Sequence, residues 1–321
     1  MKFVKAHGYG NDYLVFEAGG LRGVGSLAGF ARRACDRHFG AGGDGVAVVE
    51  RAPGGKAEGV PDGAGGVAAD FRVRIFNPDG SEAAMSGNGT RSAAAALYHE
   101  GEWAGDELRL GTRSGVKLYR LIASDAARGL YRFAAEIGKP KFASASVPVG
   151  TDAPLERVVD YPLEVAPGET VSVTALEMCN PNCCLFVEDF GALDWRRLGR
   201  LIESHPRFPE RTNVEFVRVV SRERIEVRIW ERGAGETLSS GTGSSAAAVA
   251  ACLTGRTGRR VSVETPGGGL EVEWREDGEV VLTGEAEVVY RGEWLKGGGG
   301  LRGGWRASPR RTLLDSVTVL C

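Results

Sequence analysis

Two short runs, Ser86-Gly87-Asn88-Gly89 and Ser240-Gly241-Thr242-Gly243, each stand directly ahead of an alanine-rich stretch. Glycine lets the backbone turn sharply there and leaves its N–H groups uncovered. The first N–H groups of a helix have no partner inside it, and the aligned peptide dipoles make that end positive. Each run is therefore a candidate anion site. Neither has the spacing of a P-loop or of the dinucleotide-binding G-x-G-x-x-G turn, which speaks against nucleotide binding. Two such ends facing one another would grip a single carboxylate from both sides. Ser86 and Ser240 would then flank the atom that adjoins it. One serine ahead of one glycine-rich helix start is commonly only a cap; the weight lies in there being two.

The remaining polar clusters suit a small zwitterion. Asn11-Asp12, Asn77-Pro78-Asp79-Gly80, Asn180-Pro181-Asn182 and Thr212-Asn213 all border apolar segments. Asparagine in a turn often serves only local geometry. Glu231-Arg232-Gly233-Ala234-Gly235-Glu236 is more specific: arginine offers a planar fork for a carboxylate, and glutamate accepts from an ammonium. A surface ion pair at a strand end is the competing reading.

The elements that must position these residues repeat. Val73-Arg74-Ile75 lies over Val227-Arg228-Ile229 at an offset of 154 residues. The same offset puts Glu82 on Glu236, Ser86 on Ser240, Gly87 on Gly241 and Gly89 on Gly243. Each copy reads strand, acidic loop, Ser-Gly-x-Gly turn, small-residue helix, so two similar domains are expected. Alternation predicts strands over 71–76, 225–230, 261–264 and 270–274. Helices are expected over 26–37, 90–99, 195–205 and 244–254, the last stopped by Gly255. We divide the chain into an N-terminal domain, 1–133, and a C-terminal domain, 134–283, with 284–296 returning to the first. The glycine-rich stretch 53–66 reads as an inserted surface loop, and 297–321 as a flexible tail.

Composition narrows the class. The 321 residues carry 40 basic and 42 acidic side chains, a net charge of -2, which gives no general reason to expect nucleic acid or a membrane surface as partner. No apolar run approaches the roughly 18 residues of a membrane span. Six cysteines are too sparse for a disulfide scaffold, and the four histidines show no zinc-type spacing. We expect a cytoplasmic protein without a metal.

Seven motifs together resemble diaminopimelate epimerases. They are His7-Gly8-x-Gly10-Asn11-Asp12-Tyr13, Arg37-His38-x-Gly40, Phe76-Asn77-x-Asp79-Gly80-Ser81-Glu82, Gly87-Asn88-Gly89-x-Arg91, Asn180-Pro181, Glu203-Ser204-His205-x-Arg207-Phe208-Pro209 and Glu231-Arg232-Gly233-Ala234-Gly235-Glu236-Thr237. The resemblance runs from Met1 to about Gly292. It implies an α/β (α+β) fold of two pseudosymmetric domains, each a curled, mostly antiparallel sheet around a central helix. It implies inversion of one α-carbon between LL- and meso-diaminopimelate, without pyridoxal phosphate, metal or other cofactor, and a homodimer. By matching position, Gly87, Asn88, Gly241 and Thr242 would offer main-chain donors to the carboxylate. Asn11, Asn77, Asn180, Asn213, Glu231 and Arg232 would bind the amino and carboxylate groups. The family's two bases are cysteines at positions that are Ser86 and Ser240 here, and its histidine after Asn-Pro is Asn182. A hydroxyl is a far weaker acid than a thiol, so Glu82, Glu236 or a water is the expected proton acceptor. Cys179 and Cys183 flank Asn180 and are the nearest thiols in sequence. Two alternatives stand beside the epimerase: an isomerase or dehydratase of another amino acid, and a ligand-binding homologue without turnover.

Overall fold

The computed structural model describes residues 1–52 and 68–295, so the 53–66 insert and the 297–321 tail lie outside the described residues. The first half of the chain forms β1 (Lys2–Gly8), β2 (Asn11–Glu17), α1 (Leu27–Cys35), β3 (Gly45–Arg51), β4 (Phe71–Phe76), β5 (Glu82–Ala83), α2 (Gly87–His99), β6 (Glu107–Thr112), β7 (Gly115–Asp125) and β8 (Leu130–Gly138). The second half forms β9 (Val158–Ala166), β10 (Glu169–Glu177), β11 (Pro181–Phe186), α3 (Trp195–Glu203), β12 (Asn213–Ser221), β13 (Arg224–Glu231), β14 (Gly235–Thr237), α4 (Gly241–Leu253), β15 (Arg260–Thr265), β16 (Gly268–Trp274) and β17 (Val280–Glu293). Pairing is antiparallel except at β2–β3, β4–β6, β11–β12 and β13–β15. The order of elements from β2 to β8 recurs from β11 to β17. The expected repeat is thus a repeat of whole folding units.

The parallel pairs explain their own sequences. Strands β2 and β3 run Tyr-Leu-Val-Phe and Val-Ala-Val-Val because both faces are covered, which favours unbroken apolar runs. Tyr13, Val15, Ala47 and Val49 face inward to α2, whereas Leu14, Phe16, Val46 and Val48 face outward to Phe30 and Ala34 of α1. The second half repeats the arrangement, with Cys184 and Val217 inward and Cys183, Leu185, Val214 and Phe216 outward against Trp195, Leu198 and Ile202 of α3.

Helices α2 and α4 lie inside the curled sheets and share one continuous core. Both begin three residues earlier than the sequence pattern suggests, at Gly87 and Gly241 rather than Thr90 and Ser244. The glycines belong to the first turn because the preceding serines act as caps. Ser86 Oγ accepts from Gly89 N at 3.1 Å and Ser240 Oγ from Gly243 N at 3.4 Å. Helices α1 and α3 end at Cys35 and Glu203, two residues before the sequence pattern places their ends. Strand β8 runs through position 133/134 and β17 through 283/284. β17 pairs with β16, β8 and β1 in turn, so one strand serves both halves.

The alanines of α2 and α4 are the price of enclosure: Ala93, Ala94, Ala95, Ala246, Ala247 and Ala250 have no solvent exposure. A larger side chain there must push the sheet outward. Ala94→Leu or Ala247→Leu is expected to destabilise the fold by about 1–3 kcal/mol, read as a melting temperature several degrees lower. Unchanged melting would place these helices outside the core.

Candidate active site

The two helix N-termini meet. A methyl group built on Gly87 would lie 3.5 Å from Gly241 Cα, and one on Gly241 would lie 3.6 Å from Gly87 Cα. Asn88 Nδ2 donates to Ser239 O at 3.3 Å and ties one junction to the other. The two serines therefore cap helix ends that share one place. Asn88 is itself held by Arg91, whose Nη2 donates to Asn88 Oδ1. The Arg91 guanidinium is fully buried, gives its Nε–H to Glu285 O at 3.0 Å, and lies 5.5 Å from the centre of the Tyr9 ring. It adds a positive charge one turn into α2.

Around Ser240 stand two carboxyl groups. Glu231 ends β13 with its carboxyl facing the hydroxyls of Ser240 and Thr237. Burial pushes its pKa up, those hydroxyls pull it down, and the negative charge of Asp44 pushes it up again, for a net rise. Glu215 on β12 is fully buried, and burial holds its pKa far above the glutamate range. Its Oε1 has no hydrogen-bond partner and approaches within 2.9 Å of where a Cβ on Gly243 would be, so a side chain there would have to displace the carboxyl. Around Ser86 the neighbour is a phenol: Tyr13 Oη lies 2.8 Å from Ser86 Oγ.

The asparagines form an oriented chain. Arg232 N–H donates to Asn213 Oδ1 at 2.9 Å, and Asn213 Nδ2 to Asn182 Oδ1 at 3.3 Å. Asn182 Nδ2 donates to Asn180 Oδ1 at 3.0 Å, and Asn180 Nδ2 to Thr242 Oγ1 at 3.4 Å in the first turn of α4. Amides do not titrate, so this chain orients groups and carries no proton. The turn that bears Arg232 is fixed by buried Glu203, which accepts from Gly233 N at 2.6 Å and Trp230 Nε1 at 3.0 Å. The Arg232 guanidinium is exposed and reaches Glu210 O at 2.7 Å. In the first half, Asn11 Nδ2 donates to Asp44 Oδ2 at 3.0 Å. Asn77 turns inward on its own loop, giving Nδ2 to Ser81 Oγ at 2.9 Å.

One expectation changes. Glu82 and Glu236 are each held by a two-pronged arginine, Arg74 at 2.9 and 2.7 Å and Arg196 at 2.6 and 2.8 Å. These carboxylates are committed to guanidinium groups, and the acid beside a serine is Glu231. Neither thiol near Asn180 compensates: Cys183 is fully buried on the outward face, and Cys179 Sγ donates to Ile137 O at 3.3 Å. Asp44 and Glu215 belong to none of the sequence motifs, and Tyr13 and Arg91 stand in them without a role. Two carried a usable signal, since Arg91 interrupts an alanine-rich helix and Glu215 interrupts the apolar run Val214–Val217.

Among the described residues no group of three or more His, Cys, Asp or Glu side chains is placed to hold a metal ion. No helix there is long and apolar enough to cross a membrane.

A pseudosymmetric pair of sheets, each wound on a helix and presenting its capped N-terminus to the other, defines a class of fold. Comparison with known proteins places the chain within that class. The diaminopimelate epimerase family profile matches residues 3–141 and 174–289. The chain is 41% identical over 295 residues to the diaminopimelate epimerase of Pelotomaculum thermopropionicum, covering 92% of this chain and 99% of that one. It is 43% identical over 296 residues to that of Moorella thermoacetica, with 92% and 99% covered. Among solved structures it resembles a probable proline racemase from Agrobacterium radiobacter, with a TM-score of 0.64 at 16% identity over 92% of this chain and 93% of that one. A Bacillus anthracis phenazine biosynthesis protein of the PhzF family gives 0.62 at 16%, over 92% and 99%. At such identities these two speak for the fold alone. The chain belongs to the diaminopimelate epimerase family.

The charged cluster of Asp12, Lys5, Arg37 and Asp44 is sensitive to acid. Burial works against the Asp12 carboxylate, but Arg37 and Lys5 bind it and bring its pKa to about 2. Its folded pKa is thus below the ordinary value of about 3.9. The stability it contributes, about 2 kcal/mol, is present above pH 4 and is lost as pH falls toward 2. Denaturant unfolding between pH 2 and pH 5 should show that loss, and Asp12→Asn should remove it.

Proposed function

We propose that this chain is a cofactor-independent epimerase that interconverts LL- and meso-diaminopimelate by moving the α-proton across the two faces of the substrate. The observation that carries the reading is the meeting of two serine-capped helix N-termini in one place. Main-chain N–H groups at Gly87, Asn88, Gly241 and Thr242 hold the α-carboxylate. Their positive ends stabilise the charge that builds on it as the α-proton leaves. Ser86 and Ser240 stand at the two faces. Asn11, Asn77, Asn180, Asn213 and Arg232 take up the remaining polar groups, and Asn182 orients Asn180 and Asn213. Glu231, with its raised pKa, is the base that removes the α-proton on the Ser240 side, directly or through that hydroxyl. The same reading includes a cytoplasmic setting, in keeping with the five free thiols among the described residues, and a homodimer.

Incubation with LL-diaminopimelate in heavy water is the test. Deuterium at the α-carbon together with meso product supports the epimerase. Exchange without inversion, or a different product, points to another isomerase. No exchange, with calorimetric binding retained, leaves a ligand-binding homologue, and no binding at millimolar concentration overturns the substrate class. The acid limb of kcat/KM is expected above the ordinary glutamate range, because activity needs Glu231 deprotonated, and Glu231→Gln should abolish turnover. Ser86→Cys with Ser240→Cys should raise turnover by about 100-fold, since a thiolate is accessible near neutral pH and an alkoxide is not. An unchanged rate would show that these positions do not handle the proton.

A further inference from the structure

The two serines sit in different surroundings, and the difference follows from register. Tyr13 opens the parallel pairing of β2 with β3, opposite Gly45, as Asn182 opens that of β11 with β12, opposite Asn213. These two positions correspond in the repeat. Tyr13 reaches the cap of its helix and touches Ser86 Oγ. Asn182 instead spends its amide on Asn180 and Asn213. The space beneath the helix start is also filled differently. A Cβ on Gly89 would meet Tyr13 Cε1 at 2.9 Å, so glycine lets the tyrosine ring slide under α2. The corresponding space at Gly243 holds the Glu215 carboxyl.

We propose that Tyr13 is the positioning residue of the Ser86 face: its phenol donates to Ser86 Oγ and turns the serine's own proton into the cleft, making this the proton-donating face. The proposal rests on the epimerase reading above. Hydrogen-bond accounting fixes the direction. Tyr13 is 5% exposed, and Ser86 is the single partner of its hydroxyl among the described residues. If Ser86 were the donor, the phenolic proton would be buried without an acceptor, which is unfavourable. If Tyr13 donates, Ser86 Oγ accepts from both Tyr13 and Gly89 N, and the proton of the half-buried serine is left free to point away from both. Burial raises the pKa of Tyr13, which keeps the phenol protonated and able to donate.

The chemistry balances. On the far face Glu231 takes the α-proton. On this face the Ser86 O–H bond breaks and a new C–H bond forms at the α-carbon. A carbanion is a much stronger base than an alkoxide, so proton delivery from the Ser86 hydroxyl runs downhill, and the reverse reaction passes back through the same Ser86 alkoxide. The negative charge left on Ser86 Oγ keeps its hydrogen bonds from Tyr13 and Gly89 N. When product leaves, water returns a proton to Ser86, and Glu231 releases the one it took.

Two measurements test this. In a Ser86→Cys variant the phenol donates to the new thiolate, so adding Tyr13→Phe should raise that thiol's pKa by about one unit. Iodoacetamide alkylation against pH, resolved by peptide mass, reads that thiol apart from the native cysteines and needs no turnover. An unchanged alkylation profile overturns the proposal. In the otherwise unaltered chain, Tyr13→Phe keeps the ring under α2. It should lower kcat for diaminopimelate at least about tenfold with KM within about twofold. Equal kcat in an active enzyme overturns the proposal. Unaltered protein that neither binds nor exchanges diaminopimelate overturns the epimerase reading instead, and the alkylation shift then decides the Tyr13–Ser86 bond on its own.

Discussion

Two helices brought end to end with like ends together repel one another. Each N-terminus carries about half a positive charge, and here a methyl group on one would all but touch the backbone of the other. Each serine satisfies one N–H and leaves its neighbours open. The buried guanidinium of Arg91 sharpens the imbalance. In the proposed function a substrate carboxylate between the ends relieves it, reached from both faces at once. The surrounding structure serves this contact. Alanine-rich helices let the sheets close tightly, and the outer helices α1 and α3 seal the strands from behind.

The two halves are copies in outline and not in chemistry. One cap is backed by a phenol, the other by two carboxyl groups, of which Glu215 is fully buried with its pKa pushed up by that burial and Glu231 is the more accessible. Inversion at a carbon needs a base on one side and an acid on the other. A thiol can play both parts because its two protonation states are close in energy near neutral pH, whereas the deprotonated hydroxyl lies far higher in energy. In the proposed reaction the serines therefore depend on the residues behind them, and those are the residues in which the halves differ.

How far the sequence reaches is set by the range of each interaction. The strand–turn–helix repeat is local, so helices, caps and the equivalence of Ser86 with Ser240 could be read from spacing. The three-residue error at the helix starts arose from treating glycines as breakers when a capping serine had already enclosed them in the first turn. Glu82 and Glu236 each precede a serine by four residues. Both lie on short strands, β5 and β14, and each is claimed by an arginine from a neighbouring element. Tyr13 and Asp44 could not be placed because what brings them to the site is parallel pairing across a helix crossover, a contact with no trace in local pattern. Membership of the family was legible because it rests on many short motifs rather than on any one contact.

Strand β17 has a consequence for how the molecule comes into being. Lys2 pairs with Glu293 across the first sheet, and the same strand closes the second sheet through Val280 to Thr283. Neither sheet can therefore complete its pairing before Val280–Glu293 is available, and until then the inner helix of the first half lacks part of its cover. Assembly of this kind is governed by distant pairing and is intrinsically slow, and it exposes unfinished sheet edges in the meantime.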